Sequence, residues 1–147
     1  MAEDKSAGSE EQMFVRHGGD EWSGFPLKDA FACAAIGVGK AFITQRNFKI
    51  HAAFAVLAII LGFALGISQA GWLAIVLCIT AVFSLETVNT AIEAIVDMTS
   101  PEWNKLAKVA KDCAAGAVLL SAAGSLVIAA IVYIPPIMAL LSQAPSA

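Results

Sequence analysis

The sequence has 147 residues, of which 59% are hydrophobic and only 14% are charged, with a formal net charge of -3. Soluble domains are about 45–50% apolar and about 25% charged, so this composition excludes an ordinary soluble domain and predicts an integral membrane protein. The length suits one domain.

The two ends of the chain differ in composition from its middle. Residues 1–24 are rich in small and acidic residues and have no apolar period, which predicts a flexible acidic tail. They lack the basic start and apolar core of a secretory signal. Residues 142–147 are predicted to be a short C-terminal tail. Residues 25–141 would then form the membrane domain.

An amphipathic helix is predicted over about 26–44. Leu27, Phe31 and Phe42 recur at helical spacing, whereas Lys28 and Lys40 interrupt the apolar run. This pattern is typical of a helix lying at the membrane interface.

Three apolar segments follow, at about 48–67, 71–98 and 101–134. A bilayer requires about 20 residues per helix, so the sequence predicts an all-α membrane protein with three transmembrane helices. Ser100 can cap the third helix, and Pro101 suits its first position. Gly62 and Gly66 form a GxxxG pattern, which indicates close helix packing.

Basic residues predict the orientation of the spans. Lysines and arginine precede the first span, and three lysines separate the second from the third, whereas the turn after the first span has no basic residue. Because basic loops stay inside, we expect a multi-pass protein of the inner (cytoplasmic) membrane with a cytoplasmic N-terminus.

Acidic side chains lie in one stripe on the second span, within LETVNTAIEAIVD. At about 100° per residue, Glu86, Glu93 and Asp97 fall within about 20° of one line, and Asn89 lies about 60° to one side. Each charge inside a bilayer costs about 2.5–3.5 kcal/mol, so the stripe requires a cation, a partner or water. It could also serve polar contacts between helices, or lie in water beyond the membrane boundary.

Charged residues, mostly lysines, lie at the start of the third span. They are Lys108, Lys111 and Asp112, with Lys105 one turn earlier. A short loop makes the two spans antiparallel neighbours, so the acids should face the lysines. Carboxylates can hold Mg²⁺ and accept a proton during phosphoryl transfer, and lysine binds phosphate.

Other interpretations of the stripe remain open. The sequence has no GxxxxGK[ST] loop, so any nucleotide would be held by helices. A cation or proton pathway lined by Glu86, Glu93 and Asp97 is one alternative to a site for phosphoryl transfer. A non-catalytic assembly protein is another.

Together, LETVNTAIEAIVD and LAKVAKDCAAGAVLL (residues 106–120) resemble the signature of the prokaryotic diacylglycerol kinase and undecaprenol kinase family. RNFKIH, residues 46–51, is similar to the family's segment before the first span. The resemblance covers about residues 25–133. The residues of these motifs are more similar to the undecaprenol kinase branch than to the diacylglycerol kinase branch.

The resemblance implies a homotrimer of three-span subunits, each with an interfacial helix and with active sites shared between subunits. The family transfers the γ-phosphate of Mg-ATP to a lipid alcohol, with undecaprenol favoured here and diacylglycerol next. By motif, Glu86 is the expected catalytic base and Glu93 a Mg²⁺ ligand. Relatives commonly carry glutamate just before the Arg-Asn pair; Gln45 stands there and would offer the metal one neutral oxygen.

The remaining site residues are also implied by the resemblance. The nucleotide pocket would comprise Asn89, Glu93, Asp97, Glu102, Trp103, Asn104, Lys111 and Asp112. The lipid substrate would be bordered by Arg46, Asn47, Phe48, Lys49, His51 and Glu86.

Overall fold

The computed structural model describes residues 26–142. It contains four helices: α1 (Leu27–Thr44), α2 (Arg46–Leu65), α3 (Gln69–Thr99) and α4 (Lys105–Ser142). The residues that the structure describes carry no strand. The last three helices are each long and apolar enough to cross a membrane. For the described residues, the prediction of an all-α fold with three helices that can span a membrane is therefore confirmed.

The chain divides into two units, one ending at Val38 and the other beginning at Gly39, so α1 starts in one unit and ends in the other. The described part of the first unit is the helical segment up to Val38. The second unit holds the end of α1 and all of α2, α3 and α4. The interfacial position of α1 stays a prediction. Both predicted tails lie outside the described residues, except Ser142, the last residue of α4.

The turn between α2 and α3 depends on two glycines with different roles. Gly66 adopts φ 60, the left-handed conformation that ends α2, and glycine reaches it without steric cost. Gly62 is buried, and a Cβ there would lie 2.8 Å from the Trp72 ring at the start of α3. Only Gly62 thus provides the close packing that the GxxxG pattern predicted. Ser68 caps α3, since its side chain accepts from the Gly71 N–H at 3.2 Å.

We expect Gly62→Ala to lower the free energy of unfolding by about 1–3 kcal/mol, because the added methyl group forces Trp72 to move. Gly124→Ala is the matched control, since Gly124 is helical and a Cβ there meets nothing within 4 Å. It should be neutral or stabilise by up to about 1 kcal/mol. Unfolding in mixed micelles measures both changes, and equal effects of the two substitutions would contradict this packing.

The start of α4 differs from the sequence prediction. The helix begins at Lys105, and residues 101–104 form a non-helical link. Asn104 is the cap, because its Oδ1 accepts from the N–H groups of Leu106 at 2.8 Å and Ala107 at 3.2 Å. Ser100 instead ends α3, donating its N–H to the Val96 carbonyl. The prediction that Ser100 and Pro101 open the third helix is wrong.

The end of α4 also differs. The third span was predicted to end near residue 134, yet the helix continues through Pro135 and Pro136 to Ser142. Proline removes one backbone N–H but is tolerated in membrane helices, where other groups satisfy the freed carbonyls.

Helices α3 and α4 are both longer than a membrane span requires. The 31 residues of α3 and 38 of α4 correspond to about 46 Å and 57 Å, longer than a hydrocarbon core of about 30 Å. Glu86 lies about 26 Å along α3 from Gln69. Helices α3 and α4 make the most extensive contacts of any pair, which agrees with an antiparallel hairpin.

Candidate active site

A single residue joins α1 to α2 and brings a side chain to the acidic stripe. Gln45 has extended backbone angles, φ -90 and ψ 120, between the two helices. Its Nε2 donates to Glu93 Oε2 at 2.8 Å, although the two residues are 48 positions apart. The junction of α1 and α2 therefore lies against the second half of α3.

Glu93 is held by amides on both of its oxygens. Besides the bond from Gln45, its Oε1 accepts from Asn89 Nδ2 at 3.2 Å, one helical turn earlier. Asn89 is buried, and its own Oδ1 has no hydrogen-bond partner among the described residues. A buried polar atom without a partner is costly, so this oxygen is available to a ligand.

Glu86 is the most buried of the acids. Its side chain is 1% exposed, and His51 Nε2 on α2 lies 3.5 Å from its Oε1. That oxygen has no hydrogen-bond partner in residues 26–142. An unsatisfied buried carboxylate costs several kcal/mol of desolvation. Such an arrangement is typical of functional sites rather than of structural ones.

The alternatives for the stripe can now be separated residue by residue. Asp97 is exposed, so for Asp97 the expectation of an acid in water fits. Contacts between helices account for Glu93, which is bonded to Gln45. Neither interpretation accounts for Glu86, because it is buried and its Oε1 has no hydrogen-bond partner among the described residues.

The lysines that open α4 meet only part of the stripe. Lys111 Nζ lies 2.5 Å from Asp97 Oδ1, as the antiparallel hairpin predicts. Asp112 pairs with Lys108 on its own helix. Within the described chain, Glu86 and Glu93 contact the region of Gln45 and His51 instead, which the charge pattern alone did not predict.

Other predicted site residues occupy varied positions. Glu102 and Trp103 are exposed in the link between α3 and α4, and the Asn104 side chain caps α4. At the start of α2, three predicted residues of the lipid border are exposed: Arg46, Asn47 and Lys49.

Phe48 is the buried member of the predicted lipid border. It is 2% exposed, with its ring centroid 4.9 Å from that of Phe83 and 5.7 Å from that of Phe42. Phe48 therefore packs the start of α2 against α3 and the end of α1. Its place at the border of a lipid substrate stays a prediction.

An apolar cavity of about 300 Å³ lies among α2, α3 and α4. His51 lines it, together with apolar residues such as Ile79 and Leu126, and Tyr133. Tyr133 donates its hydroxyl to the Ala58 carbonyl at 2.7 Å, which ties α4 to α2. Through His51, the cavity adjoins the Glu86 carboxylate.

The oxygen atoms of this region fit Mg²⁺. The described residues contain no group of three or more His, Cys, Asp or Glu side chains that could hold a metal by themselves. They do offer the Glu93 carboxylate, the unpartnered Asn89 Oδ1 and the amide oxygen of Gln45. Mg²⁺ prefers hard oxygen ligands and usually takes one or two carboxylates, with phosphates and water completing its shell.

Comparison with known proteins gives the family. A sequence model of the family described as "Prokaryotic diacylglycerol kinase" matches residues 32–133. The chain belongs to the prokaryotic diacylglycerol kinase family. The family resemblance inferred from the sequence motifs is thereby confirmed.

Two proteins similar to this chain are named as lipid kinases. The chain is 42% identical over 106 residues to the undecaprenol kinase of Bacillus subtilis, covering 72% of this chain and 86% of the relative. It is 40% identical over 113 residues to the diacylglycerol kinase of Synechocystis, covering 76% of this chain but 65% of that relative, under two thirds of its length. Family membership and the three apolar helices make the chain a multi-pass membrane protein and an enzyme of the lipid kinase type.

Proposed function

We propose that the chain transfers the γ-phosphate of Mg-ATP to the hydroxyl of a membrane lipid alcohol, at the cytoplasmic face of the cell membrane. One observation carries this proposal: the buried Glu86 carboxylate has an oxygen without a hydrogen-bond partner in residues 26–142. Two helical turns farther along α3 lie the amide and carboxylate oxygens around Glu93, and His51 beside Glu86 lines the apolar cavity.

Glu86 acts as the general base in this proposal. Its carboxylate accepts the proton of the lipid hydroxyl while the hydroxyl oxygen attacks the γ-phosphorus. The new oxygen–phosphorus bond forms as the bond between the γ-phosphorus and the bridging oxygen breaks, and ADP leaves. Burial keeps competing water away from the carboxylate, which favours transfer to the lipid over hydrolysis.

Glu93 would hold Mg²⁺, with Asn89 and Gln45 beside it. When bound, the metal supplies positive charge that offsets the charge of the phosphates. The two amides keep the Glu93 carboxylate in a fixed orientation. Gln45 carries no charge, so in this chain the negative charge beside the proposed Mg²⁺ would come from the Glu93 carboxylate.

The cavity suits the part of the lipid chain nearest the hydroxyl. Its walls are almost entirely apolar and come from all three long helices, whereas its His51 end reaches the base. The rest of a long chain would lie in the bilayer, so tail length is weakly restricted. The name of the Bacillus subtilis relative therefore supports undecaprenol as the favoured acceptor, and that of the Synechocystis relative supports diacylglycerol as the next.

The nucleotide would lie toward the ends of α3 and α4, near Asp97, Lys111 and Asp112 and the link that holds Glu102, Trp103 and Asn104. We propose that a homotrimer completes this site. Within one chain the lysines of α4 pair with Asp97 and Asp112 rather than with Glu86 or Glu93. Large side chains such as Leu119 and Leu120, 70% and 76% exposed on α4, leave ample surface for neighbouring subunits and lipid.

Lys111→Gln should raise the KM for Mg-ATP about 10- to 100-fold, because a hydrogen bond between charged groups contributes about 1.5–3 kcal/mol. Stability should change by less than about 1 kcal/mol, since Lys111 and Asp97 form a partly exposed ion pair. Lys28→Gln is the control, because Lys28 is an exposed lysine of α1 that is not among the residues proposed for the nucleotide site, and it should leave KM unchanged. Equal KM values for both variants would remove Lys111 from the nucleotide site.

An acceptor competition tests the proposed function. The purified protein in vesicles receives ATP labelled in its γ-phosphate, with undecaprenol and diacylglycerol at equal surface density. Label should enter both lipids, with undecaprenol phosphate in excess, and no vesicle ion leak should appear without ATP. A proton or cation flux independent of ATP, with no labelled lipid, would support the pathway alternative instead.

A further inference from the structure

His51 is the residue on α2 that faces the proposed base. Its Nε2 lies 3.5 Å from Glu86 Oε1, and that oxygen has no hydrogen-bond partner within residues 26–142. A separation of 3.5 Å lies beyond the usual hydrogen-bond range of 2.7–3.2 Å. Catalytic hydrogen bonds are often long before substrate binds and shorten in the reactive complex.

The surroundings of His51 place it between the acceptor and the base. Its side chain is 22% exposed, against 1% for Glu86, and it lines the apolar cavity. Among the described residues it is the only basic side chain that lines this cavity, and it lies beside a carboxylate. A lipid hydroxyl reaching Glu86 from the cavity would pass beside the imidazole.

The other carboxylate nearby does not compete for His51. Glu93 lies two helical turns farther along α3, and its two oxygens accept from Gln45 and Asn89. The imidazole therefore has one carboxylate within reach, and Glu86 has one imidazole.

We propose that His51 is a positioning residue for Glu86: its Nε2–H holds Oε1 and leaves Oε2 free to accept the proton of the lipid hydroxyl. This rests on the proposed function, because it assigns His51 a role in the same phosphate transfer. The imidazole orients the carboxylate without taking part in bond making or breaking. Fixing one oxygen matters because a misplacement of about 1 Å can cost about 100-fold in rate.

Two substitutions separate positioning from packing. His51→Leu fills a similar volume but has no N–H donor, and it should lower kcat about 100-fold with the KM for Mg-ATP unchanged. His51→Gln keeps an N–H donor at similar reach and should restore kcat to within about tenfold of the original chain. Val56→Leu is the control on α2, since Val56 is exposed and does not line the cavity, and it should change neither constant.

An infrared measurement reads the same contact without turnover. The carboxylate bands of Glu86, identified by their loss in Glu86→Gln, should shift in His51→Leu and return in His51→Gln. Unchanged bands and unchanged kcat in His51→Leu would overturn the role of His51. Equal losses of kcat in the leucine and glutamine variants would do the same, since they would show that shape rather than the donor matters. If the original chain transfers no phosphate but His51→Leu still shifts the Glu86 bands, the proposed kinase function is overturned and the contact between His51 and Glu86 is not.

Discussion

Glu86→Gln should lower kcat for lipid phosphorylation about 10²- to 10⁴-fold, the usual contribution of a general base. Glutamine has almost the same shape as glutamate, so it preserves packing in a position that is 1% exposed. It cannot accept the proton of the lipid hydroxyl. The KM values for Mg-ATP and for the lipid should stay within a few-fold, because the substrates contact other residues. Initial rates of labelled-phosphate transfer at saturating substrate give both constants.

Asp29→Asn is the matched control for Glu86→Gln. It also replaces one carboxylate by an amide in a helix, but Asp29 lies in the first turn of α1 and is not among the residues proposed for the site. We expect it to keep the kcat of the original chain. If Glu86→Gln keeps full turnover while remaining folded, the assignment of the base is lost.

Glu93→Gln should raise the Mg²⁺ concentration needed for half-maximal rate at least about tenfold. Loss of groups around a metal ligand already costs about 10- to 100-fold in affinity, and Glu93 supplies the carboxylate that Gln45 and Asn89 orient. The rate measured against Mg²⁺ at fixed ATP shows this shift. Binding of Mn²⁺ in place of Mg²⁺, followed by electron paramagnetic resonance, gives the affinity independently of turnover.

Gln45→Glu provides the opposite change at the same place. It sets a second carboxylate where the Gln45 amide now lies 2.8 Å from Glu93, so Mn²⁺ should bind more tightly while the metal-free protein becomes less stable through carboxylate repulsion. A Glu93→Gln variant that binds Mn²⁺ as tightly as the original chain would exclude Glu93 as a ligand.

Much of the fold follows from the sequence because long apolar runs leave few alternatives in a bilayer. Helix ends were harder to predict. Ser100 and Asn104 are both good capping residues and lie one turn apart, and only the structure shows that Asn104 caps α4. Proline commonly marks the end of a helix, yet α4 continues through Pro135 and Pro136.

The candidate site was predictable in its residues and less so in its contacts. Helical spacing places the acids of α3 on one stripe, and the short link to α4 brings Lys111 to Asp97. The contact of Gln45 with Glu93 joins residues 48 positions apart, and it depends on how α2 packs against α3. No periodicity in either helix encodes that packing. The same limit applies to the packing of Phe48 against Phe83.

The central claim is that one buried carboxylate directs the γ-phosphate of ATP to a lipid hydroxyl. The most direct measurement follows ADP and labelled lipid phosphate together in vesicles that contain the purified protein, Mg²⁺ and a lipid alcohol. The account predicts one molecule of lipid phosphate for each ADP, and no lipid phosphate when Mg²⁺ is removed. ADP formed without lipid phosphate, or no ADP with either alcohol, would contradict it.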